Sequence, residues 1–160
     1  MYYTALDIAS FFLTLDKDST LFKEDADSRQ RLYNYLYCAQ VNYIAKNGLP
    51  LFEDIILATK NSGLIREVER QYDTLLKKEY EYELNEEDKD FLKRIYDRFV
   101  YADNENITEV AQSDPAWQQY YAKNDKDGYP LNIIGNISVY KKCYKGSVQA
   151  LYCDWMEESK

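Results

Sequence analysis

Apolar residues recur along this chain at three- and four-residue intervals, and the pattern resolves into a succession of amphipathic helices. Ala5, Ile8, Phe12 and Leu15 form the first series. Thr4-Ala5-Leu6-Asp7 opens it as a capping box, with the Thr4 hydroxyl and the Asp7 carboxylate each placed to bond a backbone N–H of the first turn. Asp16-Lys17-Asp18-Ser19 ends that helix. Leu32, Tyr35, Leu36, Ala39 and Tyr43 make the stripe of a second helix, capped at Asp27 or Ser28. Asn47-Gly48 supplies its left-handed stop, and Pro50 prevents the helix from resuming.

The short apolar run Ile55-Ile56-Leu57-Ala58 reads as a buried strand or an extended connector, turned by Asn61-Ser62-Gly63. Leu64, Ile65, Val68, Tyr72, Leu75 and Leu76 mark a third helix. A fourth starts at Asn85-Glu86-Glu87-Asp88, where acidic residues suit the helix dipole, and carries Phe91, Leu92, Ile95 and Phe99. A short helix is expected from Ile107 to Ala111, and Ser113-Asp114-Pro115 opens another, since Pro fits the first helical position. Lys123 to Pro130 reads as a polar loop. A helix with Ile137, Tyr140 and Tyr144 and a terminal one with Val148, Leu151, Tyr152 and Trp155 follow. The expected fold is mostly α: a single helical domain over residues 1–160, of six or seven helices, with at most a small β-hairpin near residues 51–65.

Composition narrows the chemistry. The chain has no histidine, which excludes His-based triads, imidazole proton shuttles and His-ligated metal sites. Its three cysteines, Cys38, Cys143 and Cys153, form no Cys-x-x-Cys pair, so a thiolate zinc site lacks its ligands and each reads as a small buried hydrophobe. No apolar run approaches the roughly 20 residues of a membrane span, and the N-terminal stretch lacks a basic region, so a cytoplasmic location is expected. The net charge of −8, with no basic cluster, argues against direct nucleic-acid binding and favours meeting basic surfaces of other proteins. The 17 tyrosines suit both half-buried helices and interfaces.

Asn124-Asp125-Lys126-Asp127-Gly128-Tyr129 has the outline of a calcium loop, but Lys123 and Ile134 stand at the first and twelfth ligand places, where carboxylates are required. No metal and no cofactor is therefore expected. Glu79-Tyr80-Glu81-Tyr82-Glu83, followed by Glu86, Glu87, Asp88 and Asp90, is the densest acidic stretch. It reads either as a solvated linker whose tyrosines lean on the core or as a tyrosine-lined acidic patch for a basic partner surface. Trp117 and Trp155 read as core anchors. No nucleophile motif and no phosphate-binding glycine loop occurs, and a non-enzyme is expected.

Leu36-Tyr37-Cys38-Ala39-Gln40 followed by Gly48-Leu49-Pro50-Leu51-Phe52 resembles the Panacea domain, the family of SocA-like antitoxins and phage-associated proteins. Its members carry a helix ending in Leu-Tyr-Tyr-Ala-Gln and then a Gly-x-Pro-Leu-Phe connector. Beyond the connector, Ala58, Lys60, Glu67 and Val68 match the family, whereas Thr59, Asn61 and Arg66 replace two aromatic residues and a proline, and a Gly-Pro step has become Ser62-Gly63. Leu84 to Phe99 is similar to the family's acidic-capped helix, and Ile107 to Trp117 to a later segment, without its histidine. The resemblance implies an antitoxin or adaptor that binds a toxic or defence protein and blocks it stoichiometrically. The contact surface expected from it combines Lys60, Asn61, Arg66 and Glu67 with the acidic patch at Tyr80 and Tyr82. A second reading is a phage anti-defence inhibitor that uses its acidic surface to imitate nucleic acid.

The incomplete ligand set around Asp125 and Asp127 generates a direct expectation. Neither calcium nor a chelator should move the melting temperature. Stabilisation by several degrees on adding calcium would establish the loop as a site.

Overall fold

The computed structural model describes residues 3–122 together with 132–134. The expected helices Ile137–Tyr144 and Val148–Trp155, the loop 123–130, Cys143, Cys153 and Trp155 lie outside the described residues. Among the described residues there are six helices: α1 (Ala5–Leu15), α2 (Ala26–Asn47), α3 (Arg66–Leu76), α4 (Glu86–Phe99), α5 (Asn104–Gln112) and α6 (Pro115–Ala122). Strands β1 (Ile56–Thr59), β2 (Ser62–Leu64) and β3 (Asn132–Ile134) form one antiparallel sheet in the order β2-β1-β3. The fold is mostly α with a small hairpin, and β3 adds a strand that the local pattern does not announce. No helix among the described residues is long and apolar enough to cross a membrane.

Local chemistry sets most boundaries. The Thr4 hydroxyl accepts from Asp7 N at 3.2 Å, and Thr4 N donates to the Asp7 carboxylate at 3.0 Å, completing the capping box of α1. Gly48, at φ 71°, closes α2 in the left-handed conformation that a side chain would resist. Asn85 and Asp103 cap α4 and α5 by accepting from Asp88 N and Asn106 N, both at 2.8 Å. Three expectations shift. Helix α2 is capped by Asp25, not Asp27 or Ser28: the extended Asp25 accepts from Ser28 N at 2.7 Å, and that bond holds its carboxyl below the usual range. The chain turns at Lys60-Asn61 rather than Asn61-Ser62-Gly63, because Thr59 pairs with Ser62. Leu64 belongs to β2, so α3 begins only at Arg66.

Helix α2 is the centre of the molecule. Every residue from 32 to 42 is buried, well beyond the single stripe its apolar positions suggest. The reason is its surroundings: α1, α4, α5 and β2 all pack against it. Tyr35 is enclosed by Phe12, Phe22, Tyr96 and Phe99, mostly edge-to-face. Arg31 donates from Nη2 to Ala102 O at 2.8 Å and from Nη1 to Phe99 O at 3.4 Å, satisfying carbonyls at the end of α4. Cys38 is buried, in keeping with its expected role.

Polar residues on the buried faces of α2 work as clamps. Gln40 Oε1 accepts from Leu51 N at 2.8 Å and Phe52 N at 3.3 Å, while its Nε2 donates to Phe52 O at 2.7 Å. The helix end and the Leu49-Pro50-Leu51-Phe52 connector are therefore one unit. The N-terminus depends on the same connector, since Tyr3 N donates to Leu51 O at 3.3 Å and Ala5 N to Asp54 Oδ1 at 2.9 Å. Gln40→Leu keeps the apolar volume but leaves main-chain groups of Leu51 and Phe52 buried without partners. It should destabilise the protein by roughly 2–5 kcal/mol, read from the denaturant midpoint at unchanged m-value. A loss below ~0.5 kcal/mol would show that the clamp holds nothing.

Candidate functional site

An open groove of about 800 Å³ lies between the first turns of α2, the hairpin, α5 and the early part of α3. Its position follows from a second amide clamp. Asn34, fully buried, donates from Nδ2 to Thr108 Oγ1 at 2.9 Å and Asn104 Oδ1 at 3.4 Å. Its Oδ1 accepts from Gln30 Nε2 at 3.3 Å and from the Ser62 hydroxyl. Gln30 Nε2 also reaches Asn61 O at 3.2 Å and Ser62 Oγ at 3.1 Å. Buried amides with this many partners hold a single geometry, and here they fix the hairpin tip against two helices. Gly63 sits so close beneath that a Cβ would stand 2.9 Å from Ile56 Cγ2 and 3.2 Å from the Tyr37 ring.

The outer support is equally specific. Gln112 Nε2 donates to Lys60 O at 2.9 Å, and Trp117 Nε1 donates to Thr59 O at 2.9 Å while its ring stacks on Tyr121 at 4.8 Å. Trp117 thus anchors the hairpin. Below it, the Tyr37 hydroxyl donates to the buried Asp114 carboxylate and ties α2 to the start of α6.

The walls carry Asp27, Glu69, Glu105 and Glu109 against one cation, Arg29. Arg29 lies 5.4 Å above the Tyr72 ring, and its Nε is buried without a hydrogen-bond partner. Tyr33 lines the same groove, 6% exposed, and its hydroxyl is likewise unpartnered. Burial, with the nearby Glu69 carboxylate, pushes the Tyr33 phenol up to about 12, partly offset by Arg29. It is therefore a neutral O–H at any physiological pH. The groove's carboxylates can accept cations, and two donors without partners lie on residues that line it.

The expected contact residues fall in two places. Lys60 and Asn61 form the hairpin turn, and Asn61 lines the groove. Arg66 and Glu67 lie in the first turn of α3, where Arg66 pairs at 3.9 Å with Glu69, itself a groove residue, and Glu67 pairs with Arg70. Tyr80 and Tyr82 line a separate cavity of about 620 Å³ with Asp7, Glu81 and Glu83. Both tyrosines are half-buried against the core. Tyr82 meets Phe11 edge-to-face at 6.2 Å, and its hydroxyl lies 3.1 Å from Thr14 Oγ1. The groove includes neither tyrosine, and the tyrosine cavity includes none of the four hairpin and α3 residues.

Sequence reasoning missed Gln30, Tyr33, Asn34, Glu69 and Glu109. The signal available for Asn34 was its place between Tyr33 and Tyr35 in the aromatic stretch of α2, where a polar residue needs partners; Gln30, within the polar run 27–31, carried none. Comparison with family models, curated proteins and solved structures returns no match.

The tyrosines of this region generate a pH prediction. Burial raises Tyr33 and Tyr35 to about 12 and Tyr72 further, from an ordinary value of 10.0. The folded state then binds more protons than the unfolded chain above that value, so stability is full below pH 10 and falls as pH climbs toward 12. Melting temperatures across that window should decline, with late tyrosinate absorbance appearing together with unfolding. Complete phenol titration near pH 10 with an unchanged melt would refute this burial picture.

Proposed function

We propose that this chain is an antitoxin-like inhibitor of the Panacea-like class, which binds a toxic or defence protein and neutralises it stoichiometrically without chemistry of its own. The observation that carries the reading is the groove whose hairpin wall is locked by the Asn34 and Gln30 amides. A preorganised surface loses little conformational freedom on binding, which is what a tight inhibitor requires. Asn61 lies on that surface and Lys60 beside it.

The clamp at Gln40 supports the same reading from another side. The two motifs behind the family resemblance, Leu36 to Gln40 and Gly48 to Phe52, interlock through this one side chain. They constitute a scaffold element, and the hairpin that follows is what the scaffold presents. The groove's titratable groups, carboxylates, a guanidinium and a protonated phenol, suit recognition.

Capture of partners from the native host followed by a titrated activity assay tests the proposal. The captured protein should lose its activity at an equimolar ratio. Lys60→Ala combined with Asn61→Ala should weaken inhibition by about thirtyfold, the effect of losing roughly 2 kcal/mol at a hot spot, with an unaltered melt. Tyr80→Ala with Tyr82→Ala reports on the second patch, and melts run beside it separate lost packing from lost contact. A captured protein that stays fully active in tenfold excess of the chain would end the antitoxin reading. One that is a nucleic-acid-binding effector, released by added duplex DNA, would transfer it to the nucleic-acid mimic.

A further inference from the structure

We propose that the groove receives an extended basic segment of polypeptide, laid along the outer edge of β2. The inference rests on the inhibitor reading and names the chemistry of the partner. Three independent features of the groove converge on it.

The first is charge. Four carboxylates, Asp27, Glu69, Glu105 and Glu109, line the groove beside the Arg29 guanidinium, and Glu69 also pairs with the exposed Arg66 at 3.9 Å, which still leaves the walls net acidic. A phosphate, a nucleic acid or an acidic peptide would meet net repulsion there, whereas lysine or arginine side chains would be drawn in. The second is hydrogen bonding. Of four buried side-chain atoms without partners among the described residues, two belong to residues that line this groove: Tyr33 Oη and Arg29 Nε. Native structures rarely leave such atoms unsatisfied. Both can donate, and they need an acceptor. A neutral main-chain carbonyl supplies one without adding negative charge among the carboxylates.

The third is the sheet. β2 is an outer strand in the order β2-β1-β3, and its Gly63 and Leu64 line the groove. An outer strand presents main-chain groups that an added strand can pair with, and side chains of that strand then alternate toward the walls. An extended basic segment meets all three requirements together. Its carbonyls reach Tyr33 and Arg29, its backbone pairs with the strand, and its cationic side chains reach Glu69 and Glu109.

Fluorescence anisotropy with short, capped, labelled peptides on the full chain tests the proposal. The probes are an alternating lysine–valine peptide, its glutamate–valine counterpart, and a lysine–proline peptide that keeps the charge but cannot pair as a strand. The lysine–valine peptide should bind, the glutamate–valine peptide should not, and the lysine–proline peptide should bind at least about tenfold more weakly, having lost its strand hydrogen bonds. Glu69→Gln with Glu109→Gln should weaken binding by about tenfold, and Tyr33→Phe by roughly fivefold. Tyr33→Phe keeps the ring and removes only the unpartnered hydroxyl, so its melting temperature should hold or rise. Absence of binding, equal affinity for the lysine–proline peptide, or indifference to all three substitutions would each overturn the inference. The outcome is separable from the inhibitor reading. Peptide binding in the groove with a captured partner that stays fully active would sink that reading alone. Stoichiometric inhibition without peptide binding would sink the groove assignment alone.

Discussion

The arrangement of this fold depends on the carboxamide of Gln40. An amide within a fully buried stretch of helix is costly unless its donor and acceptor are both used. Gln40 uses both on the backbone of Leu51 and Phe52. From that anchored connector the chain runs directly into β1. The N-terminal residues dock on it as well, with Tyr3 forming a parallel bridge to Phe52. The start of α1, the end of α2 and the entry to the hairpin therefore share one reference point.

Asn34 repeats the device nearer the other end of the same helix, but its partners lie on α5 and the hairpin instead of a connector. One helix thus sets both where the hairpin begins and where its tip rests. Gln40's clamp closes over Leu51 and Phe52, which are themselves buried, and becomes core. The Asn34 clamp lies beside the open groove. The atoms left without partners next to it, on Arg29 and Tyr33, sit one turn or so from fully satisfied amides. Satisfied polar groups make this wall rigid, and unsatisfied ones stand close beside them.

What the sequence disclosed was local. Thr4 with Asp7, Asn85 and the Asn47-Gly48 stop are readable because each acts within a few residues of itself. Asp25, Asp27 and Ser28 are all good capping residues, and only the backbone conformation decides for Asp25. The hairpin was legible as an apolar run with a turn, yet its turn was misplaced by one residue, since register is set by pairing and not by the strongest turn formers. The groove was not legible at all. Its bonds join Asn34 to Thr108, 74 positions away, and Gln30 to Asn61, 31 away. No periodicity records such distances. A buried-polar clue existed at Asn34 and Gln40, but it says only that partners are needed, not where they come from.

The two patches expected to act as one surface now carry different physical weight. Tyr82 is engaged with Phe11 and Thr14, so removing it disturbs packing at the same time as any contact it makes. Glu79, Glu81 and Glu83, exposed between the tyrosines, steer charged partners from a distance more than they hold them. The hairpin presents the opposite balance. Lys60 and Asn61 are fixed through their main-chain carbonyls by Gln112 and Gln30, so the backbone stays in place whatever side chain stands there. A surface held by its backbone can change its side chains without losing its shape. Such a turn tolerates side-chain change at Lys60 and Asn61 while the groove wall behind it keeps its form.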